Sequence, residues 1–232
     1  MSTAAVPRIR VSRHQPLAVC IGGVLCLASP LALAITFVTN CNDAGIGSLR
    51  AAVAGALEGD TVDASGLAGV CSTITLTTGD IVVNKNDLTI KGPGMTSLSI
   101  FGTSNNGHRI LTHTGTGTLT LESLTLSKGY QISDSAFGGC VYSKGNVLLD
   151  HVGAYACETS GTQYSEGGAI FTQGSTSVSY SVIAVNTAYA GGPNCESIGG
   201  GVYARNGFSA IYSTISGNSS RGVSGRFALA GC

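Results

Sequence analysis

Two twenty-residue stretches align without a gap: Gly167 to Asn186 (GGAIFTQGSTSVSYSVIAVN) and Gly199 to Asn218 (GGGVYARNGFSAIYSTISGN). Ile170 matches Val202, Phe171 matches Tyr203, Tyr180 matches Tyr212, Ser181 matches Ser213, Ile183 matches Ile215 and Asn186 matches Asn218. A third copy opens at Gly138 (GGCVY), with Cys157 where the Asn would fall, so the starts at 138, 167 and 199 lie 29 and 32 residues apart. Such a period marks a solenoid, whose coils each bury apolar side chains against their neighbours. Repeats this rich in Gly, Ser and β-branched residues make poor helices. A propeller blade needs more residues per repeat, and a leucine-rich repeat needs regular Leu. Stacked strands remain, with equivalent side chains repeating about every 4.8 Å. The expected fold is all-β, a right-handed parallel β-helix, with Asn186 over Asn218 as an internal amide ladder.

Upstream of the repeats, the runs Ser72 to Thr78, Asp80 to Val83, Asp87 to Lys91, Ser97 to Phe101, Gly117 to Leu121 and Ser123 to Ser127 alternate apolar with polar residues. They read as strands between Gly or Asn turns. From Ser48 through Leu57 the spacing changes, because Leu49, Ala52, Val53, Ala56 and Leu57 share one helical face behind a Ser48 N-cap. This short helix, bracketed by Cys41 and Cys71, is expected to cap the first rung of the sheet and protect its edge.

The N-terminus has a different character. Arg8, Arg10 and Arg13 precede an apolar run from Leu17 that closes on Ala32-Leu33-Ala34, the layout of a secretory signal peptide. Gly22, Gly23, Ser29 and Pro30 argue against a stable membrane-spanning helix. The expected organisation is a leader over residues 1–34, a cap with the helix over 35–71 and coils over 72–232. Cleavage removes three of the twelve basic residues, leaving nine against twelve acidic ones. Without a basic stripe, nucleic acid is excluded as a partner. No integral membrane segment is expected after cleavage.

Six cysteines remain in the mature chain, at 41, 71, 140, 157, 195 and 232. In an oxidising compartment an even number implies disulfides, and Cys41 with Cys71 is the pairing the sequence favours. No Cys-x-x-Cys spacing occurs and His108, His113 and His151 are not grouped with the cysteines, so no metal is assigned. No cofactor is expected.

The Gly-Gly-Ala-Ile at 167–170 and the spacings Ile183 to Asn186 and Ile215 to Asn218 resemble the short motifs of bacterial polymorphic outer membrane proteins. The N-terminal half resembles pectin-lyase-like β-helix proteins that open on a Cys-Ser-Leu-Arg-Glu-Ala motif. That motif stands here as Gly47-Ser48-Leu49-Arg50-Ala51-Ala52, with Gly for the Cys and Ala for the Glu. It is followed by Gly59-Asp60-Thr61-Val62 and by Leu88 to Gly94. The resemblance implies a secreted or outer-membrane-associated protein of a Gram-negative bacterium, with a role in adhesion or recognition. No membrane barrel follows the repeats before Cys232, so a small secreted relative or a fragment is expected.

The same fold houses polysaccharide lyases and hydrolases, which need converging carboxylates. Here Asp60, Asp63, Asp80, Asp87, Glu122, Asp134, Asp150, Glu158, Glu166 and Glu196 are dispersed, with no Asp-x-Asp. His108-Arg109 and Asp150-His151 are adjacent on strands and should point to opposite faces. No catalytic residue is assigned. The segments Glu158 to Glu166 and Thr187 to Ile198 are expected as loops presenting Tyr164, Tyr189, Asn194 and Glu196 to a ligand. The expected partner is a surface polysaccharide or a host or cell-surface protein. A polysaccharide-active enzyme and a passive structural envelope protein are the alternatives.

Overall fold

The computed structural model describes residues 34–103 and 107–222. The expected leader up to Leu33, and Cys232, lie outside the described residues. The chain winds a parallel β-solenoid of about six turns. Its strands form one eleven-stranded and two five-stranded sheets among the described residues. The copies found in the sequence stack in register: Val141 on Ile170 on Val202, Tyr142 on Phe171 on Tyr203, and Ile183 on Ile215. No helix among the described residues is long and apolar enough to cross a membrane.

The three sheets differ in how legible their strands are. The large sheet carries Thr61–Asp63, Leu88–Lys91, Thr118–Ser127, Asn146–Tyr155 and Thr176–Ser179. Their inward positions are the stacked apolar residues Val62, Ile90, Leu121, Leu149 and Val178, all buried. The second sheet, Ile81–Val83 to Val202–Ala204, buries Ile81, Leu111, Val141 and Ile170. The third corrects the sequence reading, because Glu158–Glu166, Thr187–Ala190 and Glu196–Ile198 are strands and not loops. The inward side chains of the first and last are Thr159, Ser165 and Ser197, buried and hydrogen-bonded, and those of Thr187–Ala190 are the small Ala188 and Ala190, so the alternation is written in hydroxyls and alanines that hydropathy does not distinguish from a loop.

The repeat motif is explained at the corners. Ser123, His151, Tyr180 and Tyr212 all take left-handed φ of 48–54° where the large sheet bends. Lys128, Ala156 and Val185 do so at the next corner, at 51–59°. A left-handed residue breaks the strand alternation, so the next side chain turns toward neighbouring backbone. Ser181 Oγ thus accepts from Val152 N at 2.9 Å, and Asn186 Oδ1 accepts from Cys157 N at 2.8 Å. Asn186 Nδ2 donates to Ala154 O and to Asn218 Oδ1. Where the third copy replaces Asn by Cys157, that thiol is instead bonded to Cys140. In the Gly-Gly pair, Gly167 has φ +67°, and a Cβ on Gly168 would strike the backbone of Gly200 and Thr187. The first glycine supplies the turn, the second the close approach between coils.

At the N-terminal end, the helix forms over Leu49–Gly55 with Ser48 as N-cap, its hydroxyl accepting from Ala51 N at 3.2 Å. Leu49, Ala52, Val53 and Ala56 are buried, whereas Leu57 is exposed. Arg50 leaves this helix to donate to the carbonyls of Gly79 at 2.7 Å and Asp80 at 2.6 Å, and it pairs with Asp43 at 2.6 Å. Asp43 Oδ2 also accepts from the backbone and hydroxyls of Thr77 and Thr78. Asp60 accepts from Leu57 N and Ala34 N, fixing the strand Ile35–Phe37 beside Thr61–Asp63. The expected Cys41–Cys71 disulfide closes this region. The polar residues of the motif therefore anchor the cap rather than carry chemistry.

Candidate functional site

The bend in the large sheet brings together side chains that the sequence separates. Because His151 is left-handed, it does not point away from Asp150: its Nδ1 lies 3.1 Å from Asp150 Oδ1. The expectation that the two face opposite sides fails for this reason, since strand alternation holds only through β-region residues. One coil on, the Tyr180 ring stacks on the His151 ring with centroids 5.0 Å apart, and Tyr212 stacks on Tyr180 at 5.1 Å. All three are exposed. The column repeats at the coil spacing because each ring leaves the same left-handed corner.

Beside this column runs a shallow groove of about 300 Å³ lined by Leu148, Ser177, Val178, Ser179, Ser209 and Ile211. Apart from Val178, its lining residues belong to two outward rows that continue beyond it. In one, Thr120, Leu148, Ser177 and Ser209 are register partners. In the other, Lys91, Glu122, Asp150, Ser179 and Ile211 follow one another from coil to coil. Ser179 Oγ donates to Asp150 Oδ1 at 2.7 Å. The groove thus offers serine hydroxyls and an apolar floor beside an aromatic wall suited to C–H faces, and the carboxylates of Glu122 and Asp150 extend one of its rows into the preceding coils. Two carboxylates, Glu122 and Asp150, sit in adjacent coils, which strand spacing places about 4.8 Å apart along the axis. Sequence reading missed this pairing because the two lie 28 positions apart; the repeat period was the signal that could have found it.

A second polar cluster lies near the junction of the other two sheets. The Asp80 carboxylate faces both His108 Nδ1 at 3.6 Å and Arg109 Nη1 at 3.5 Å, and accepts from Thr112 Oγ1 at 2.6 Å. His108 and Arg109 therefore converge on one carboxylate. Arg109 also donates to the carbonyls of Gly138 and Phe137 and stacks over Tyr142. Burial lowers its pKa, opposed by Asp80. Three coils away, Arg205 lies over Phe171 and 3.7 Å from Glu166. Burial raises the Glu166 pKa, Arg205 opposes this and Glu196 reinforces it. Three coils separate Asp80 from Glu166 by about 14 Å along the axis, too far for a hydrolase pair. Each cluster is a partly buried ion pair that ties coils together.

The remaining sequence-nominated residues sit on the third sheet. Tyr164 and Glu196 are register partners, and Tyr189 pairs with Ser160 on one side and Arg221 on the other. Tyr164, Tyr189 and Glu196 are exposed, and Asn194 occupies a left-handed turn at φ 60°. They share one face, but not the face of the groove. His113 is buried, with Nε2 against the carbonyls of Lys85 and Asn86, so it donates there and Nδ1 accepts from Ser143 Oγ. No group of three or more His, Cys, Asp or Glu able to hold a metal occurs among the described residues.

No family model, curated protein or solved structure significantly matches the chain.

Proposed function

We propose that this protein is a secreted or cell-surface recognition module that holds a polysaccharide strand along the groove of its large sheet. The observation that carries the reading is the exposed His151, Tyr180 and Tyr212 column beside a groove lined by Ser177, Ser179 and Ser209 together with Leu148, Val178 and Ile211. A rigid solenoid presents these groups at a fixed repeat, so a polymer with a regular repeat meets them with little ordering cost. Adhesion in the envelope of a Gram-negative bacterium is the setting in which such a module would act. The exposed tyrosines Tyr164 and Tyr189 on the third sheet offer a further contact face.

A second reading, a polysaccharide-active enzyme, is favoured by one row: Lys91, Glu122 and Asp150 in adjacent coils with His151 alongside. Two carboxylates at strand spacing and a basic neighbour are the parts a lyase or hydrolase uses. The mature protein is to be screened against acidic and neutral polysaccharides, with and without calcium, reading both retention and product release. Retention without turnover, abolished by Tyr212→Ala and Tyr180→Ala, supports recognition. Product release that survives repurification and is lost in Asp150→Asn establishes the enzyme. Neither signal leaves a passive structural role.

A further inference from the structure

The strands around the groove carry charge of one sign. Along Thr118–Ser127, Asn146–Tyr155, Thr176–Ser179, Val182–Ala184, Phe208–Ile211 and Thr214–Ser216 the charged side chains other than His151 are Glu122 and Asp150, and no Lys or Arg occurs. Glu122 and Asp150 are register partners, and Asp150 is in turn the partner of Ser179, which lines the groove. Lys91 flanks Glu122 on the side away from the groove and is itself flanked by Asp63, so the row Asp63, Lys91, Glu122, Asp150 holds three carboxylates and one ammonium. Lys128, at the next corner, is turned over the Phe101 ring. Both carboxylates beside the groove are accessible, the Asp150 side chain being 39% exposed and Glu122 partly exposed. Asp150 Oδ1 accepts from Ser179 and faces His151, whereas Asp150 Oδ2 and the Glu122 carboxylate make no hydrogen bond among the described residues. Like charges opposite one another on neighbouring strands repel, so this pair favours a cation from outside and opposes an anion.

We propose that the groove selects polysaccharides whose sugars carry a free ammonium, with Glu122 and Asp150 together receiving that ammonium and turning away uronate chains. This rests on the reading of the groove as a polysaccharide site and adds its charge preference. An ammonium has three donors, enough to reach Glu122 and Asp150 Oδ2 at once, since strand spacing sets the two residues about 4.8 Å apart. Hydroxyls of neighbouring sugars meet Ser177, Ser179 and Ser209, while C–H faces meet Leu148, Ile211 and the ring column. N-acetylation of the amine removes its charge and leaves a single donor, so it weakens the contact with both carboxylates.

The test titrates the native mature protein with three oligosaccharides of equal length, one of glucosamine, one of N-acetylglucosamine and one of galacturonate, in a buffer that keeps the amines protonated. The glucosamine oligomer should bind at least about tenfold tighter than its N-acetylated counterpart, as expected for hydrogen bonds between charged groups, and the galacturonate oligomer weakest of the three. Glu122→Gln should erase the preference for the free amine while leaving the N-acetylated oligomer's affinity unchanged. Tyr180→Ala should weaken both. Glu158→Gln, which removes a carboxylate from a different sheet, should change neither. Equal or tighter binding of the N-acetylated or galacturonate oligomer, still sensitive to Tyr180→Ala, overturns the charge preference and leaves the groove reading standing. Tight glucosamine binding that Glu122→Gln and Glu158→Gln weaken equally also overturns it, since the attraction is then a diffuse one to the acidic chain. Binding of none of the three overturns the groove reading together with this proposal. Should Glu122→Gln fail to fold, the order of the three affinities on the native protein still decides.

Discussion

Asn186 donates through Nδ2 to Asn218 Oδ1 at 2.9 Å, and its own Oδ1 receives the backbone N–H of Cys157 at 2.8 Å. One buried amide therefore joins three successive coils. Its neighbour in the sequence, Val185, makes this geometry by adopting a left-handed backbone.

Asn186→Ala should destabilise the fold by about 2–3 kcal/mol, because it strands the Cys157 amide and one acceptor in a buried place. Asn218→Ala should cost less, since Asn218 is only half-buried. Urea unfolding with an unchanged slope checks this. A loss below about 0.5 kcal/mol for Asn186→Ala would show the ladder to be dispensable.

Acid stability should depend on Asp43. Burial raises its pKa, but hydrogen bonds from Arg50, Thr77 and Thr78 outweigh that and hold it well below the usual carboxylate range. A depressed folded-state pKa gives stability that is full above the unfolded value of about 3.9 and is lost as pH falls below it. Asp43→Asn should therefore lower the melting temperature at neutral pH and flatten its decline below about pH 4. Arg50→Lys should not restore Arg50→Ala, because a single ammonium cannot span the Gly79 and Asp80 carbonyls and Asp43 together. Equal melting curves for Arg50→Lys and wild type would contradict the anchoring role.

Glu166 should behave in the opposite sense. Its raised pKa means the folded state binds the proton more tightly, so its contribution favours folding at low pH and fades as pH rises through the folded value. Glu166→Gln should hold or raise the melting temperature at pH 7, whereas Arg205→Ala should lower it by leaving a buried carboxylate without its cation. Calorimetry at pH 5 and pH 8 separates these outcomes. A Glu166→Gln melting point well below wild type at pH 8 would refute the assignment.

Cys140–Cys157 closes a loop of 17 residues within one coil, and Cys41–Cys71 one of 30 at the cap. Loops of this size correspond to about 3 kcal/mol each when the bond is removed. Non-reducing peptide mapping should recover both pairs, and reduction should lower the melting temperature. Cys140→Ala with Cys157→Ser should unfold more readily than wild type while keeping its Cys41–Cys71 peptide. Recovery of a Cys41–Cys140 peptide from the native protein would contradict the observed pairing.

The groove was less legible in the sequence than the coils. The repeat was visible because Ile170, Val202, Ile183 and Ile215 alternate apolar with polar residues at matched positions. The helix was visible because apolar spacing changes after Ser48. Glu158–Glu166 was misread because buried hydroxyls carry its alternation, and Asp150-His151 because a left-handed residue reverses the side its neighbour would take. The tyrosines nominated as ligand-facing, Tyr164 and Tyr189, are exposed on another sheet from Tyr180 and Tyr212.

The sequence by itself determined the coil: its period, its apolar interior, its capped N-terminal end and the cysteine pair that closes it. These are local patterns or repeats of local patterns, and burial selects for them one residue at a time. Only the tertiary structure decided which residues meet on the surface. Lys91, Glu122, Asp150 and Ser179 become one row, and His151, Tyr180 and Tyr212 one column, because stacking turns a sequence separation of about thirty into one strand spacing. That conversion depends on the register and handed corners of every coil, and no single coil contains it.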